Sequence, residues 1–285
     1  MKYYIVGKNS TSGPTHDTSG DLNSYYELGW EIMVTHYRVK KLFYEKKISN
    51  QDVIVTTNEE RKFLYESIFE NVISWEDFSN IDKEGIDVID LVDLSTKDNY
   101  HNEFINYEPE VDNQELNDIL FSFKKSDKFL PSNINKKYVC LQFRNRDWST
   151  ERNVDKSFFS NLVKYFTDEK KIHVYVMGFG SESFCINENI EYVDLQSFTT
   201  LINNKNCLFF YSSMSGPAHL SYFFGHKNLY QVVNSVGGPR PDHLKDHPLY
   251  VGDKYNHTKV SVDIIAYHQN VNFFKELINN KLNNL

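Results

Sequence analysis

Three of the chain's six arginines fall within nine residues, Arg144-Asn145-Arg146-Asp147-Trp148-Ser149-Thr150-Glu151-Arg152, against twenty-five lysines spread elsewhere. A guanidinium is a planar fork that grips two oxygens of a phosphate at once, whereas an ammonium is a point charge. The run follows Tyr138-Val139-Cys140-Leu141-Gln142-Phe143, an apolar stretch that reads as a buried strand. About seventy residues on, a second apolar run, Cys207 to Tyr211, ends in Ser212-Ser213-Met214-Ser215-Gly216-Pro217-Ala218-His219-Leu220. A strand ending in hydroxyls and a glycine, and then opening a helix at Ala218 to Phe224, leaves small donors and unpaired backbone N–H groups around one point. That combination suits an anion, most often a phosphate or pyrophosphate. Each piece also has a plainer reading. Ser-Gly-Pro describes an ordinary turn and N-cap, and an arginine loop paired with Asp147 and Glu151 is an ordinary solvated surface. Two such loops at the C-terminal edge of one sheet, where open α/β sheets bind ligands, favour the functional reading.

The elements that would hold these loops alternate. Tyr3 to Val6 reads as a first strand closed by Gly7, followed by a polar loop from Lys8 to about Asn23 that contains His16, Asp17, Gly20 and Asp21. Long loops after a first strand often carry function. A helix is expected over Tyr25 to Tyr44, a strand at Asp52 to Thr56, a helix at Glu59 to Phe69, and strands at Val72-Ile73 and Val88 to Val92. A helix at Glu115 to Phe123 precedes a polar stretch, Lys124 to Asn135 with Pro131, that reads as a linker. The second alternation runs from strand 138–143 through a helix at 155–167, a strand at 172–177, a helix at 198–203, strand 207–211, helix 218–224 and a strand at Asn228 to Val233. A long loop with Gly237, Gly238 and Arg240 then leads to a terminal helix from Val262 to Asn280. The expected fold is α/β: two Rossmann-like domains, 1–130 and 131–260, with parallel sheets facing a central cleft, and a C-terminal helix over 261–285.

A chain of 285 residues with a net charge of −8 does not suit a nucleic-acid backbone as its main partner, so positive potential must be local. Cys140, Cys185 and Cys207 lie in or beside apolar runs without metal-ligand spacing and read as small buried hydrophobes of a reducing compartment. Lys2, a four-residue apolar run and then a polar loop do not make a leader, so a cytoplasmic location with at most peripheral membrane contact is expected. Asp242, His243, Asp246, His247, Asp253 and His257 invite a metal reading, but Pro241, Pro248 and Gly252 interrupt any helix that would align them, and no metal is expected.

These features together resemble glycosyltransferases of the GT-B architecture, and within them the lipopolysaccharide heptosyltransferase family. That family carries a basic residue before a helix, matched here by Arg152-Asn153-Val154-Asp155-Lys156-Ser157-Phe158-Phe159. It also has a strand followed by glycine and an acid, matched by Met177-Gly178-Phe179-Gly180-Ser181-Glu182. Its Asp-Thr-Gly-x-x-His-Leu motif corresponds to Met214-Ser215-Gly216-Pro217-Ala218-His219-Leu220, with Met214 in place of the aspartate. The resemblance implies that Arg152 and the hydroxyl and amides of the Ser215-Gly216 motif contact donor phosphates and that Glu182 contacts the ribose, while His219 either bonds a phosphate or caps and packs the helix. It also implies that Asp21, in Gly20-Asp21-Leu22, is the base. A looser similarity links Gln142-Phe143-Arg144-Asn145-Arg146-Asp147 to fucosyltransferases with a His-x-Arg-Arg-x-Asp signature, where an arginine faces the donor phosphate.

The implied reaction is inverting, metal-independent transfer of a sugar from a nucleotide-diphosphate sugar to a hydroxyl of a glycan or glycolipid, without a cofactor. Arg144, Arg146 and Arg152 would stabilise the departing diphosphate, with Ser212, Ser213, Ser215, Gly216, His219, Glu182 and Arg240 as further donor-side residues. Asp21 is the first candidate base, then Asp17, then His16. Two other classes remain open: an epimerase or hydrolase of nucleotide sugars, and a non-catalytic nucleotide- or glycan-binding module.

Overall fold

The computed structural model describes residues 1–8, 28, 31–92, 114–130, 132–144, 153–178, 190–213, 216–235, 260–266 and 270–282. The chain divides into two compact units, Met1–Lys125 and Ser126–Leu285.

In the first unit, β1 (Tyr3–Ile5), β2 (Val53–Thr56), β3 (Asn71–Ser74) and β4 (Val88–Asp90) form one sheet in the order β3-β2-β1-β4, every pair parallel. Val53, Ile54 and Val55 are β-branched and buried on both faces, as a central parallel strand requires. Ile5, Val55, Phe78 and Val92 form one core, with Tyr3 and Trp75 tilted against Phe78. Among the described residues its α-helices include α1 (Tyr37–Tyr44), α2 (Trp75–Ser79) and α3 (Gln114–Leu120). A capping box between Ser74 and Asp77 starts α2 directly off β3.

The single helix expected over Tyr25 to Tyr44 is different in form. Glu31–His36 is a π-helical segment that tightens into α1 only at Tyr37. Likewise the helix expected at Glu59 to Phe69 is a 3₁₀ segment over Glu59–Leu64. In both places the backbone yields to buried polar side chains, described below, that the apolar spacing does not register.

The second unit holds β5 (Tyr138–Phe143), β6 (His173–Gly178), β7 (Ile190–Tyr192), β8 (Cys207–Ser213), β9 (Tyr230–Ser235) and β10 (Ser261–Ala266). They form one parallel sheet in the order β10-β9-β8-β5-β6-β7. Read in chain order this is 3-2-1-4-5-6, the doubly wound Rossmann topology. On one face Val139, Leu141, Phe143, Phe209, Tyr211 and Val232 pack under α4 (Lys156–Lys164) and α7 (Val271–Leu282), with Phe274 within 4.9 Å of Phe158 between ring centroids. On the other face lie α5 (Leu195–Asn203) and α6 (Leu220–Phe224), with Phe198 edge-on to Phe210 at 5.3 Å.

Two expectations need correcting here. The terminal helix expected over 261–285 does not begin at Val262: residues 261–266 are the sixth strand, paired along their length with β9, and the helix starts at Val271. Val262, Ile264 and Ile265 are β-branched, and the Tyr230 hydroxyl reaches the Asp263 carboxylate at 2.7 Å, which locks the strand to its neighbour. The stretch expected as a linker also packs: Phe129 is buried edge-on to Tyr175 at 5.4 Å, and the Ser126 amide donates to Thr200 Oγ1.

Candidate functional site

In a doubly wound sheet the crossovers reverse between the first and fourth strands in chain order, and the loops leaving those strands diverge to open a crevice. In the second unit this switch point lies between β5 and β8, which are direct neighbours. Beyond β5 stands Arg144; β8 itself ends in Ser212 and Ser213. Both sequence-predicted loops therefore leave from the two sides of one switch point.

Arg144 is buried, with 2 % of its surface exposed, and its Nη1 donates to Asn153 Oδ1 at 2.6 Å. Its carbonyl accepts from the Val154 amide at 2.9 Å, so the arginine loop departs from and returns to one point. Next comes α4, N-capped by Asp155, whose carboxylate accepts from the Phe158 amide at 2.8 Å. Bonds from Ser157 and from the Phe158 amide hold that carboxyl below its ordinary pKa. A guanidinium fixed this way lays a permanent positive charge at the end of β5, where low dielectric extends its reach.

Past β8 the chain forms a 3₁₀ turn over Gly216–His219 and then the five residues of α6. This departs from the regular helix expected from Ala218. A helix of five residues has little macrodipole, so affinity for an anion here would rest on individual side-chain and amide donors rather than on a helix dipole. A buried glutamine holds the turn in place. Gln231 Nε2 donates to Ser212 Oγ at 3.1 Å and to the Ala218 carbonyl at 3.0 Å, and the Ser221 hydroxyl donates to Gln231 Oε1. Ser212, Ser221 and Gln231 are buried, as are Ser213 and His219. On the other face of β9, Asn234 pairs in register with Ser213 and donates to the Tyr211 hydroxyl at 3.1 Å.

Of the residues singled out in the sequence, Arg144, Ser212, Ser213, Gly216 and His219 are thus brought to one edge of one sheet. Arg146, Arg152, Glu182, Ser215 and Arg240 on the donor side, and His16, Asp17 and Asp21 as candidate bases, lie outside the described residues. Among the described residues no group of three or more metal-ligating side chains converges. Sequence reasoning passed over Gln231 and Asn153. The signal for Gln231 is a lone amide inside Leu229-Tyr230-Gln231-Val232-Val233, since the large majority of buried side-chain polar atoms are hydrogen-bonded.

The first unit has its own switch point, between β1 and β4. There Lys8 Nζ pairs with Asp90 Oδ2 across the two strand ends. Beside it lies a cluster that the sequence did not reveal, centred on the carboxylate of Glu31, which is 1 % exposed. Glu31 Oε1 accepts from Thr56 Oγ1 at 2.5 Å and from the Tyr65 hydroxyl at 3.0 Å. Its Oε2 accepts from Thr57 Oγ1 at 2.8 Å and from Arg61 Nη1 at 2.6 Å. Burial first, and then the Glu31 charge, push the Tyr65 phenol well above its ordinary pKa.

The topology defines a class: a two-sheet, doubly wound α/β protein of GT-B type. No family model matches the chain, and no curated protein matches it. Solved structures do. The ADP-heptose lipopolysaccharide heptosyltransferase II of E. coli is similar over 99 % of this chain and 98 % of its own, with a TM-score of 0.54 at 11 % identity. The E. coli heptosyltransferase WaaC is similar at 12 % identity in its complexes with ADP (TM-score 0.48, covering 99 % of this chain and 98 % of that one) and with ADP-2-deoxy-2-fluoro heptose (TM-score 0.49, 98 % and 99 %). At such identities the likeness with heptosyltransferase II is one of fold, and it extends through both units.

Proposed function

We propose that this chain is a glycosyltransferase that moves a sugar from a nucleoside-diphosphate sugar to an acceptor hydroxyl of a glycan or glycolipid, with inversion and without a resident metal or cofactor. The observation that carries the reading is the switch point of the second sheet, where Arg144 ends β5 and Ser212-Ser213 end β8 on neighbouring strands. The fold shared with an enzyme named for ADP-heptose makes ADP the first nucleotide to test.

In this mechanism the acceptor oxygen attacks the anomeric carbon while the bond from that carbon to the diphosphate breaks. The electron pair leaves on the β-phosphate oxygen, and the acceptor proton passes to a base, for which Asp21 is the first choice, then Asp17 and His16. Negative charge grows on the departing diphosphate, and the guanidinium of Arg144, already oriented by Asn153, needs no reorganisation to oppose it. Arg146 and Arg152 would add to the same field, with Ser213 and the turn at Gly216–His219 as donors to phosphate oxygens. Glu182 and Arg240 complete the donor side in this reading.

The test is a thermal-shift panel of ADP, UDP, GDP and CDP with their sugars, followed by turnover of the class that binds. A ligand at a hundred times its Kd stabilises by about 2.7 kcal/mol, an easily read shift. One diphosphate class is expected to stand out, and Arg144→Ala to remove its shift. A panel without any shift overturns the reading. Free nucleotide or an epimer formed at full rate without acceptor would replace it with a hydrolase or epimerase, and binding without turnover on any acceptor would replace it with a binding module.

A further inference from the structure

The carboxylate of Glu31 takes four side-chain hydrogen bonds, two on each oxygen, so every lone pair directed at the protein is engaged. A carboxylate so saturated is poorly placed to accept a substrate proton. Nor is it an economical source of stability, since a buried ion pair is seldom worth more than the apolar side chains that could replace it. What it does possess is geometry. Its donors come from Thr56 at the end of β2 and Thr57 just past it, from the 3₁₀ segment after them (Arg61) and from Tyr65, while Glu31 itself opens the π-helical segment.

All of these converge on the exit of β1. Thr35, one turn along the π segment, donates its hydroxyl to the Val6 carbonyl at 2.6 Å. The Val6 and Gly7 amides both donate to the Val55 carbonyl, at 2.9 and 3.2 Å. Gly7 is pressed so close to the end of β2 that a Cβ would stand 2.7 Å from the Thr57 amide nitrogen and 3.1 Å from Glu31 Oε2. One residue further, Lys8 is paired with Asp90. The chain is therefore gripped at Val6, Gly7 and Lys8 in succession, at the switch point of the first sheet. Position 9 begins the stretch that carries His16, Asp17 and Asp21. The π segment is consistent with this role, since a wider turn is unfavourable by itself and persists where side-chain geometry requires it.

We infer that Glu31 is a positioning residue: the knot it ties fixes the direction in which the chain leaves β1 toward the candidate acceptor-side bases. The inference rests on the glycosyltransferase reading for its consequence in catalysis, but the knot can be tested without it. Glu31→Gln keeps the size and removes two acceptor sites. Whichever way the amide turns, its –NH₂ meets two donors, either Thr56 and Tyr65 or Thr57 and Arg61.

The experiment is hydrogen exchange by mass spectrometry on the full-length chain, read peptide by peptide. Glu31→Gln is expected to speed exchange about tenfold or more in peptides that contain Val6, Gly7 and Lys8, with β3, α3 and the second unit unchanged. Thr35→Val, which removes the bond to Val6 and leaves the charge in place, is expected to affect the same peptides. In turnover of an ADP-sugar, followed as ADP release, Glu31→Gln should lower kcat about tenfold or more and leave KM for the donor alone. Faster exchange spread evenly through the first unit, or none anywhere, overturns the positioning role, as does a change confined to donor KM. A wild-type protein that binds no nucleotide sugar instead overturns the reading of the second unit, while the exchange pattern still decides what Glu31 does.

Discussion

Replacing Gln231 with leucine is the sharpest test of how the second unit holds the sheet edge that carries its candidate site. The side chain keeps its approximate volume and loses one donor group and one acceptor. Three partners are affected: Ser212 Oγ and the Ala218 carbonyl lose a donor at 3.1 and 3.0 Å, and the Ser221 hydroxyl loses its acceptor. All three residues are buried. A neutral hydrogen bond contributes about 1 kcal/mol net, and a buried group left unpaired costs about 1–3 kcal/mol. Ser221 recovers part of this, because its hydroxyl already lies 3.4 Å from the Ala218 carbonyl. The expected loss is therefore about 3 kcal/mol, which for a unit of this size lowers Tm by about 6–12 °C. Urea unfolding measures it as a lower midpoint at unchanged m. A double-mutant cycle with Ser221→Ala should show coupling of about 0.5–3 kcal/mol, since the alanine has no hydroxyl to orphan. The nucleotide-dependent thermal shift should also shrink, because the Gly216–His219 turn is no longer tied to β9. A loss below about 1 kcal/mol, or additive single changes, would refute the claim that one amide organises this edge.

Three further outcomes are expected. His36 is fully buried edge-on to Tyr65, and burial, then the neighbouring Lys40, hold its pKa well below the ordinary 6.5. As pH falls below 6.5 the unfolded chain takes up a proton that the folded chain refuses, so the first unit should lose stability in that window, and His36→Phe should flatten the acid limb of urea midpoints. Lys40 is buried with its amine on the Ser122 carbonyl and 3.3 Å from Ser122 Oγ, and burial holds its pKa well below 10.5; Lys40→Met should raise the urea midpoint at neutral pH and abolish the rise in stability as pH climbs toward 10.5. Asp155→Ala should cost about 1 kcal/mol through the lost cap on α4, seen as a lower Tm.

The sheets were legible because buried parallel strands announce themselves. Cys207–Tyr211 is a continuous apolar run and Tyr138–Phe143 is one broken only by Gln142, and both are strands at the centre of the second sheet. Arg144 and Ser212-Ser213 were legible because they are polar residues ending such runs. Glu31 was not, because Glu27, Glu31 and Glu45 look alike in sequence, and only the partners gathered from Thr56 to Tyr65 set one apart. Strand β10 was missed for a related reason. Val262, Ile264 and Ile265 fit either period, and their pairing with β9, thirty-one residues earlier, decides between them.

The bond between the Arg144 carbonyl and the Val154 amide closes the intervening nine residues into a handle with a pinched neck. Lengthening or swapping such a handle perturbs little below the neck, because the entropy of closing a loop grows only with the logarithm of its length. Grafting a different sequence between Arg144 and Asn153 is thus expected to change the nucleotide-dependent thermal shift while leaving the sheet's own folding free energy nearly untouched.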